Sequence, residues 1–295
     1  MFGKTDKYKN RFPLLPKGFK IARSRTRVNW KNRRFMIPRN APNEADRVAL
    51  AHYINKHIYH GNFQSPIDEA LQRGIKVIDA SCGTGIWTLE MARDFPNSTF
   101  VGTHTVDLFP SRDIPPNCTF VRADTLKGLP FEDGKFDYTF QRNVNLTYTI
   151  ENWERVISEL ARVTKSGGWV ELIENDGIVH RAPKSYSKYE AAWLTATRIR
   201  GIDIYTAHNL AGLLTRCSLE DVESDYVSVT VGWQDRLGEL MGRNLELYRL
   251  GLKKQMAPLM DMKENEYERW AVEITREIAE NRGYINGYYA YGKKP

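Results

Sequence analysis

Lys76-Val-Ile-Asp-Ala-Ser-Cys-Gly-Thr-Gly-Ile-Trp87 decides how the chain folds. Val77 and Ile78 form a short β-branched run of the kind that makes a buried parallel strand, and Asp79 ends it. Ala80 to Gly85 are all small residues and predict a turn. Over residues 86–95 the apolar side chains Ile86, Leu89, Met91, Ala92 and Phe95 recur at helical spacing. A strand, a glycine turn and a helix open an α/β nucleotide site, because glycine lets the backbone approach a ligand and the helix start presents free N–H groups. The dinucleotide pattern Gly-x-Gly-x-x-Gly is not met: counted from Gly83, its third position holds Thr88. Nicotinamide chemistry is therefore disfavoured.

Working outward, the 295 residues suffice for one large core or two small ones, and 41% hydrophobic with 12% aromatic content indicates a globular chain. Three cysteines, Cys82, Cys118 and Cys217, form no even framework and no Cys-x-x-Cys pair, which predicts a reducing compartment. No apolar run approaches the length of a membrane span, so the expectation is an unsecreted protein of the cytoplasm or nucleus, with no membrane partner. The net charge of +7 is unevenly placed: residues 1–34 hold twelve Lys and Arg against Asp6 alone, leaving −4 for the remainder. This basic arm reads as solvated and flexible, with nuclear targeting or nucleic-acid contact as the sharper alternative.

Further along, Asn43 is placed to cap a helix over 44–60, and strands are predicted over 99–106 and 118–124. A turn at Asp133-Gly134 leads into a fourth strand through Phe140, followed by Gln141-Arg142-Asn143 at its carboxyl edge. Asn152 is expected to cap a helix over 153–164 that Gly167-Gly168 stops, before a fifth strand over 169–173. Beyond these, the pattern predicts helices over 186–200 and 207–216 and an exposed strand over 221–231. Two more helices, over 234–256 and 263–281, precede an aromatic last strand over 284–291.

Asp79-x-(small)-x-Gly83-x-Gly85 resembles the first motif of class I S-adenosyl-L-methionine-dependent methyltransferases. Leu129-Pro-Phe-x-Asp-x-x-Phe-Asp137 and Lys165-x-Gly-Gly-x-x-x-x-x-Glu174 also resemble that family. Phe35-x-x-Pro38 followed by Glu44-x-Asp46-Arg47 resembles its fungal secondary-metabolism-regulator branch. The resemblance runs over residues 35–176. It implies an α/β fold: a Rossmann-like, seven-stranded, mostly parallel sheet with an antiparallel last strand, flanking helices and a helical insertion near the C-terminus. It also implies a cofactor-binding core over 35–176, a helical cover with the last strands over 177–295, and a lid role for the helix over 44–60.

The cofactor implied is S-adenosyl-L-methionine, held by Asp79, Ser81, Gly83, Gly85, His104, Asp124, Thr125 and Asn143. Two of these depart from the family. Ser81 stands where most relatives have Gly, and His104 stands where an acid usually clamps both ribose hydroxyls, with Asp107 three residues on. A neutral imidazole accepts one hydrogen bond only. Methyl transfer needs a base only when the acceptor carries a proton near neutral pH. Asn143, Asn145, Tyr148 and His180 fall near the expected strand ends, with no spacing that assigns catalysis. His52, His57 and His60 lack a matched acid or thiolate, so no metal is expected. The function implied is methyl transfer to a small molecule or a regulatory protein. The alternative is a non-catalytic binding protein on the same fold.

Overall fold

The computed structural model describes residues 43–295. The basic arm and most of the segment leading to the first helix lie outside the described residues. Strand β1, Lys76–Ala80, forms where the β-branched pair stands, and every residue after Lys76 in it is buried, as a strand covered on both faces requires. Around it lie β2 (Thr99–His104), β3 (Cys118–Arg122), β4 (Phe136–Arg142), β5 (Thr164–Asn175), β6 (Glu220–Thr230) and β7 (Tyr284–Lys293). They make one seven-stranded sheet in the order β3-β2-β1-β4-β5-β7-β6. The first five are parallel, with Asp79 level with Gly102 and with Phe140; β7 is antiparallel to both β5 and β6.

Helices α1 (Glu44–Ile58), α2 (Asp68–Arg73), α3 (Ile86–Asp94), α4 (Ile150–Val163), α5 (Ser187–Arg198) and α6 (Leu210–Arg216) flank the sheet. Helices α7 (Arg236–Gly251), α8 (Lys253–Leu259) and α9 (Glu264–Glu280) form the predicted insertion, between β6 and β7. On one face Leu50, Ile54, Trp87 and Met91 pack with Val77, Tyr138 and Phe140 of the sheet and with Met241, Met256 and Ile274 of the insertion. Trp87 stacks on Phe140 at 4.1 Å. On the other face the stripe Trp153, Val156, Ile157, Leu160 and Val163 of α4 covers Ile78, Val170 and Leu172 together with Leu210 and Leu214 of α6. Burying a side chain of this size stabilises by about 1.5–3 kcal/mol.

Several boundaries differ from the sequence reading. Asn43 and Thr149 occupy the positions before α1 and α4, and neither makes a side-chain cap; Asn152 lies inside the first turn of α4. The helix pattern over 234–256 is broken at Leu252, just after Gly251, where Tyr267 Oη donates to the Arg249 carbonyl at 3.1 Å. Gly167-Gly168 does not stop α4. The helix ends at Thr164, whose Oγ1 donates to Leu160 O at 2.7 Å and whose backbone is already extended, so β5 starts there and contains both glycines.

Gly168 lies in β5 where the pairing with β4 shifts register, and a Cβ there would stand 2.6 Å from the Asp137 carbonyl oxygen. Gly167 (φ +77°) has nothing within 4 Å of its Cβ position. Gly168→Ala should therefore cost about 1–3 kcal/mol through the backbone clash. Gly167→Ala should cost about 1 kcal/mol, through its left-handed backbone alone. Urea unfolding of the two variants checks this; equal losses would mean that the register shift absorbs the added methyl.

Candidate functional site

The eight residues named from the sequence come together along one edge of the sheet. Asp79 is the last residue but one of β1, Ser81, Gly83 and Gly85 form the turn into α3, and His104 ends β2. Asp124 and Thr125 follow β3, and Asn143 follows β4. These are the carboxyl ends of four adjacent strands, the edge where open α/β sheets bind ligands.

The turn is shaped by three left-handed residues in five, Ser81 (φ 67°), Gly83 (φ 60°) and Gly85 (φ 74°). A Cβ at Gly83 would meet nothing within 4 Å, so that glycine opens onto free space. Gly85 is different. Its Cβ would stand 2.4 Å from Cε1 of Phe120, and one at Gly102 would stand 2.6 Å from the same ring. The two glycines make room for Phe120, which stacks on Phe109 at 5.1 Å. Packing therefore accounts for Gly85.

Asp79 is 3% exposed, and its Oδ2 accepts from Thr88 Oγ1 at 2.6 Å. Burial raises its pKa to about 6, against the pull of Thr88 and of the Arg142 charge. Thr88, one turn into α3, is thus the residue that fixes the motif carboxylate, and no sequence pattern marks it. Ser81 Oγ lies 3.3 Å from Tyr148 Oη, itself buried against Trp153.

His104 is buried, and its backbone oxygen accepts from Ala123 N at 3.0 Å. Asp107 is exposed on the following turn, with Oδ1 3.4 Å from Phe109 N, and so stays with its own loop. Asp124 caps the turn after β3 by accepting from Leu126 N at 3.1 Å, beside the buried Thr125. Asn143 is exposed, left-handed (φ 57°), and 3.4 Å from Asn175 Nδ2.

Of the other polar residues near strand ends, Asn145 is structural: its Nδ2 donates to the carbonyls of Asn175 (3.0 Å) and Ile204 (2.8 Å). His180 stacks on Tyr284 and pairs with Asn286, against β7. Glu174 accepts from Val144 N and Asn145 N and holds the loop after β4; burial raises its pKa to about 8 against those two donors.

A second polar unit stands at the end of β5. Asp176 is fully buried, and its Oδ2 accepts from His208 Nε2 at 2.7 Å and from Tyr288 Oη at 3.2 Å. Its Oδ1 accepts from Ile178 N at 2.8 Å. Donation from Nε2–H leaves Nδ1 of the partly exposed His208 ring as an acceptor able to take a proton. Tyr205 meets that ring edge-on at 5.5 Å. The partners lie 32 residues apart in sequence, with no motif to announce them. Among the described residues no group of His, Cys, Asp and Glu has metal-holding geometry, and no helix is long and apolar enough to cross a membrane.

Residues 77–168 match the family described as methyltransferase domain. The chain is similar to the secondary metabolism regulator laeA of Coprinopsis cinerea, 39% identical over 34% of this chain and 25% of that protein. It is also similar to the N-methyltransferase verN of Clonostachys rogersoniana, 30% identical over 46% of this chain and 48% of that one. Among solved structures, phosphoethanolamine N-methyltransferase 2 of Haemonchus contortus in complex with S-adenosyl-L-methionine aligns with TM-score 0.49 at 14% identity, covering 88% of this chain and 60% of that one. The chain thus spans between a quarter and about half the length of these two curated relatives. The motif turn and the parallel sheet agree with the domain match, so residues 77–168 read as a methyltransferase domain.

Proposed function

We propose that this chain transfers a methyl group from S-adenosyl-L-methionine to an acceptor held over the carboxyl ends of β1, β4 and β5. The observation that carries the reading is the β1–α3 turn: three left-handed residues in a row of five, with Gly83 facing open space beside the buried Asp79. The residues present fit the cofactor. Gly83 leaves the space that a ligand's backbone contacts need, and Ser81 adds a hydroxyl beside it. His104 can accept from one ribose hydroxyl, and Asp124 with Thr125 lies on the far strand for the base. Asn143 flanks the turn from β4.

When bound, the cofactor supplies an already activated methyl group, so the chain contributes position and exclusion of water. His208, oriented by Asp176, takes the proton of an acceptor that carries one. The acceptor is a small molecule or a regulatory protein, in keeping with relatives named as an N-methyltransferase and as a secondary metabolism regulator. His104 favours a second reading, a non-catalytic binding protein, because an imidazole cannot clamp two hydroxyls.

Isothermal titration with S-adenosylhomocysteine should give micromolar binding, about 8 kcal/mol; no heat at about 1 mM ligand rejects the reading. His104→Asp should tighten binding by about 10-fold or more, the worth of a charged hydrogen bond. No gain supports the non-catalytic alternative.

Gly83→Ala should weaken S-adenosylhomocysteine at least about tenfold for about 1 kcal/mol of stability, whereas Gly85→Ala, driven into Phe120, should lower stability by about 1–3 kcal/mol. Thermal melts run beside the titrations separate the two; unchanged binding in Gly83→Ala would make the turn scaffolding only.

Asp79, with its pKa raised to about 6, stabilises the fold when protonated, and that contribution is lost as pH rises from about 4 to 6. Asp79→Asn keeps an acceptor for Thr88 and removes this slope. Its stability at pH 7 relative to pH 4 should exceed the wild-type difference by at most about 3 kcal/mol, measured by urea unfolding. An unaltered slope would show that Asp79 is not the titrating group.

A further inference from the structure

Arg142 is the last residue of β4. Gln141 is level with Ala80 of β1, so Arg142 stands beside the first residue of the glycine turn, Ser81. Alternation along β4 puts it on the face of Phe140, the face that Asp79 also shares. Its guanidinium carbon lies 6.0 Å from the Phe140 ring centre, and its side chain is half-buried.

What this guanidinium lacks is an anion. Among the described residues it makes no ion pair, and its Nη2 contacts a nitrogen, His52 Nδ1, at 2.6 Å. The two acids whose charges act on it most are engaged elsewhere. Asp79 accepts from Thr88, and Glu90 is bonded by His52 Nε2 and Lys56 Nζ. Burial lowers the Arg142 pKa to about 10 in spite of those acids, so it remains charged at neutral pH. Burial and the Arg142 charge together hold His52 near pKa 4, so the histidine is neutral and adds no second positive charge. A half-buried arginine is a fork that matches a carboxylate bidentately. With one positive charge and a neutral neighbour, the site suits a singly charged anion better than a phosphate dianion.

We infer that Arg142, steadied by His52 of α1, is the carboxylate-binding residue for the amino-acid end of the cofactor. This rests on the proposed function, since it names the residue that reads one end of the same ligand. It gives α1 a role as well, because the helix, packed on α3, reaches the ligand's anionic end through His52.

The test compares two probes by isothermal titration: S-adenosylhomocysteine, which has the carboxylate, and 5′-deoxy-5′-methylthioadenosine, which lacks the amino-acid end. The wild type should bind the first more tightly. Arg142→Gln should weaken S-adenosylhomocysteine by about 10–100-fold while changing methylthioadenosine less than about twofold. Arg142→Lys, which keeps the charge and loses the fork, should fall between and serves if the glutamine variant does not fold. Equal loss for both probes, or no loss for either, overturns the assignment while leaving cofactor binding intact. Wild-type protein that binds neither probe overturns the proposed function and this inference with it.

Discussion

A carboxylate that ends a central strand has no water to turn to, and in this protein Thr88 answers it from the next element. The Asp79–Thr88 hydrogen bond spans the glycine turn from below. It fixes the end of β1 to the first turn of α3, and of the left-handed residues between them Gly83 opens onto free space while Gly85 packs against Phe120. Asp79 is uncomfortable in this place, as burial raises its pKa, and the discomfort is the cost of keeping a charge-capable group at the carboxyl edge of the sheet. Two further buried carboxylates repeat the arrangement along β5. Glu171 accepts from Gln64 N, Ser65 N, Ser65 Oγ and Tyr138 Oη, and so ties the loop after α1 to the sheet. Glu174 does the same for the loop after β4. The carboxyl edge of the sheet is thus held in shape by acids whose oxygens are spent on the chain itself.

Much of the fold was legible because it depends on local pattern. The β-branched pair at Val77-Ile78 and the stripe on α4 each report a face to be buried, and burial is what the sequence encodes most directly. Boundaries were less legible. Gly167-Gly168 reads as a helix stop, yet the glycines serve a strand that must pass close to the Asp137 carbonyl, a constraint set by a residue some thirty positions away. Asn43 and Asn152 are good caps by type and cap nothing, since tertiary packing chose the helix starts.

The candidate site divides along the same line. Its eight sequence-named residues follow four adjacent strands, because the resemblance assigns them by strand end. Thr88, the Arg142–His52–Glu90 chain and the Asp176–His208 pair escaped notice. Their partners are nine to ninety residues apart, and no spacing rule links them. Asp124 illustrates the converse: a strand-end acid whose observed task is to cap its own turn, whatever else it touches.

The position of β7 governs how the molecule can be assembled. This strand, residues 284–293, lies between β5 and β6, and among the described residues β6 pairs with no other strand. During synthesis the ribosome releases β1 to β5 first, and they can join as they emerge. Strand β6 then waits through the whole helical insertion, some fifty residues, before the strand that anchors it exists. Until then β5 ends the sheet as an open edge, and β6, with its valines and tyrosine, is a second one. The nascent chain is therefore exposed to wrong pairing until residues 284–293 emerge, and that ten-residue strand then covers the β5 edge and the facing edge of β6 in a single step.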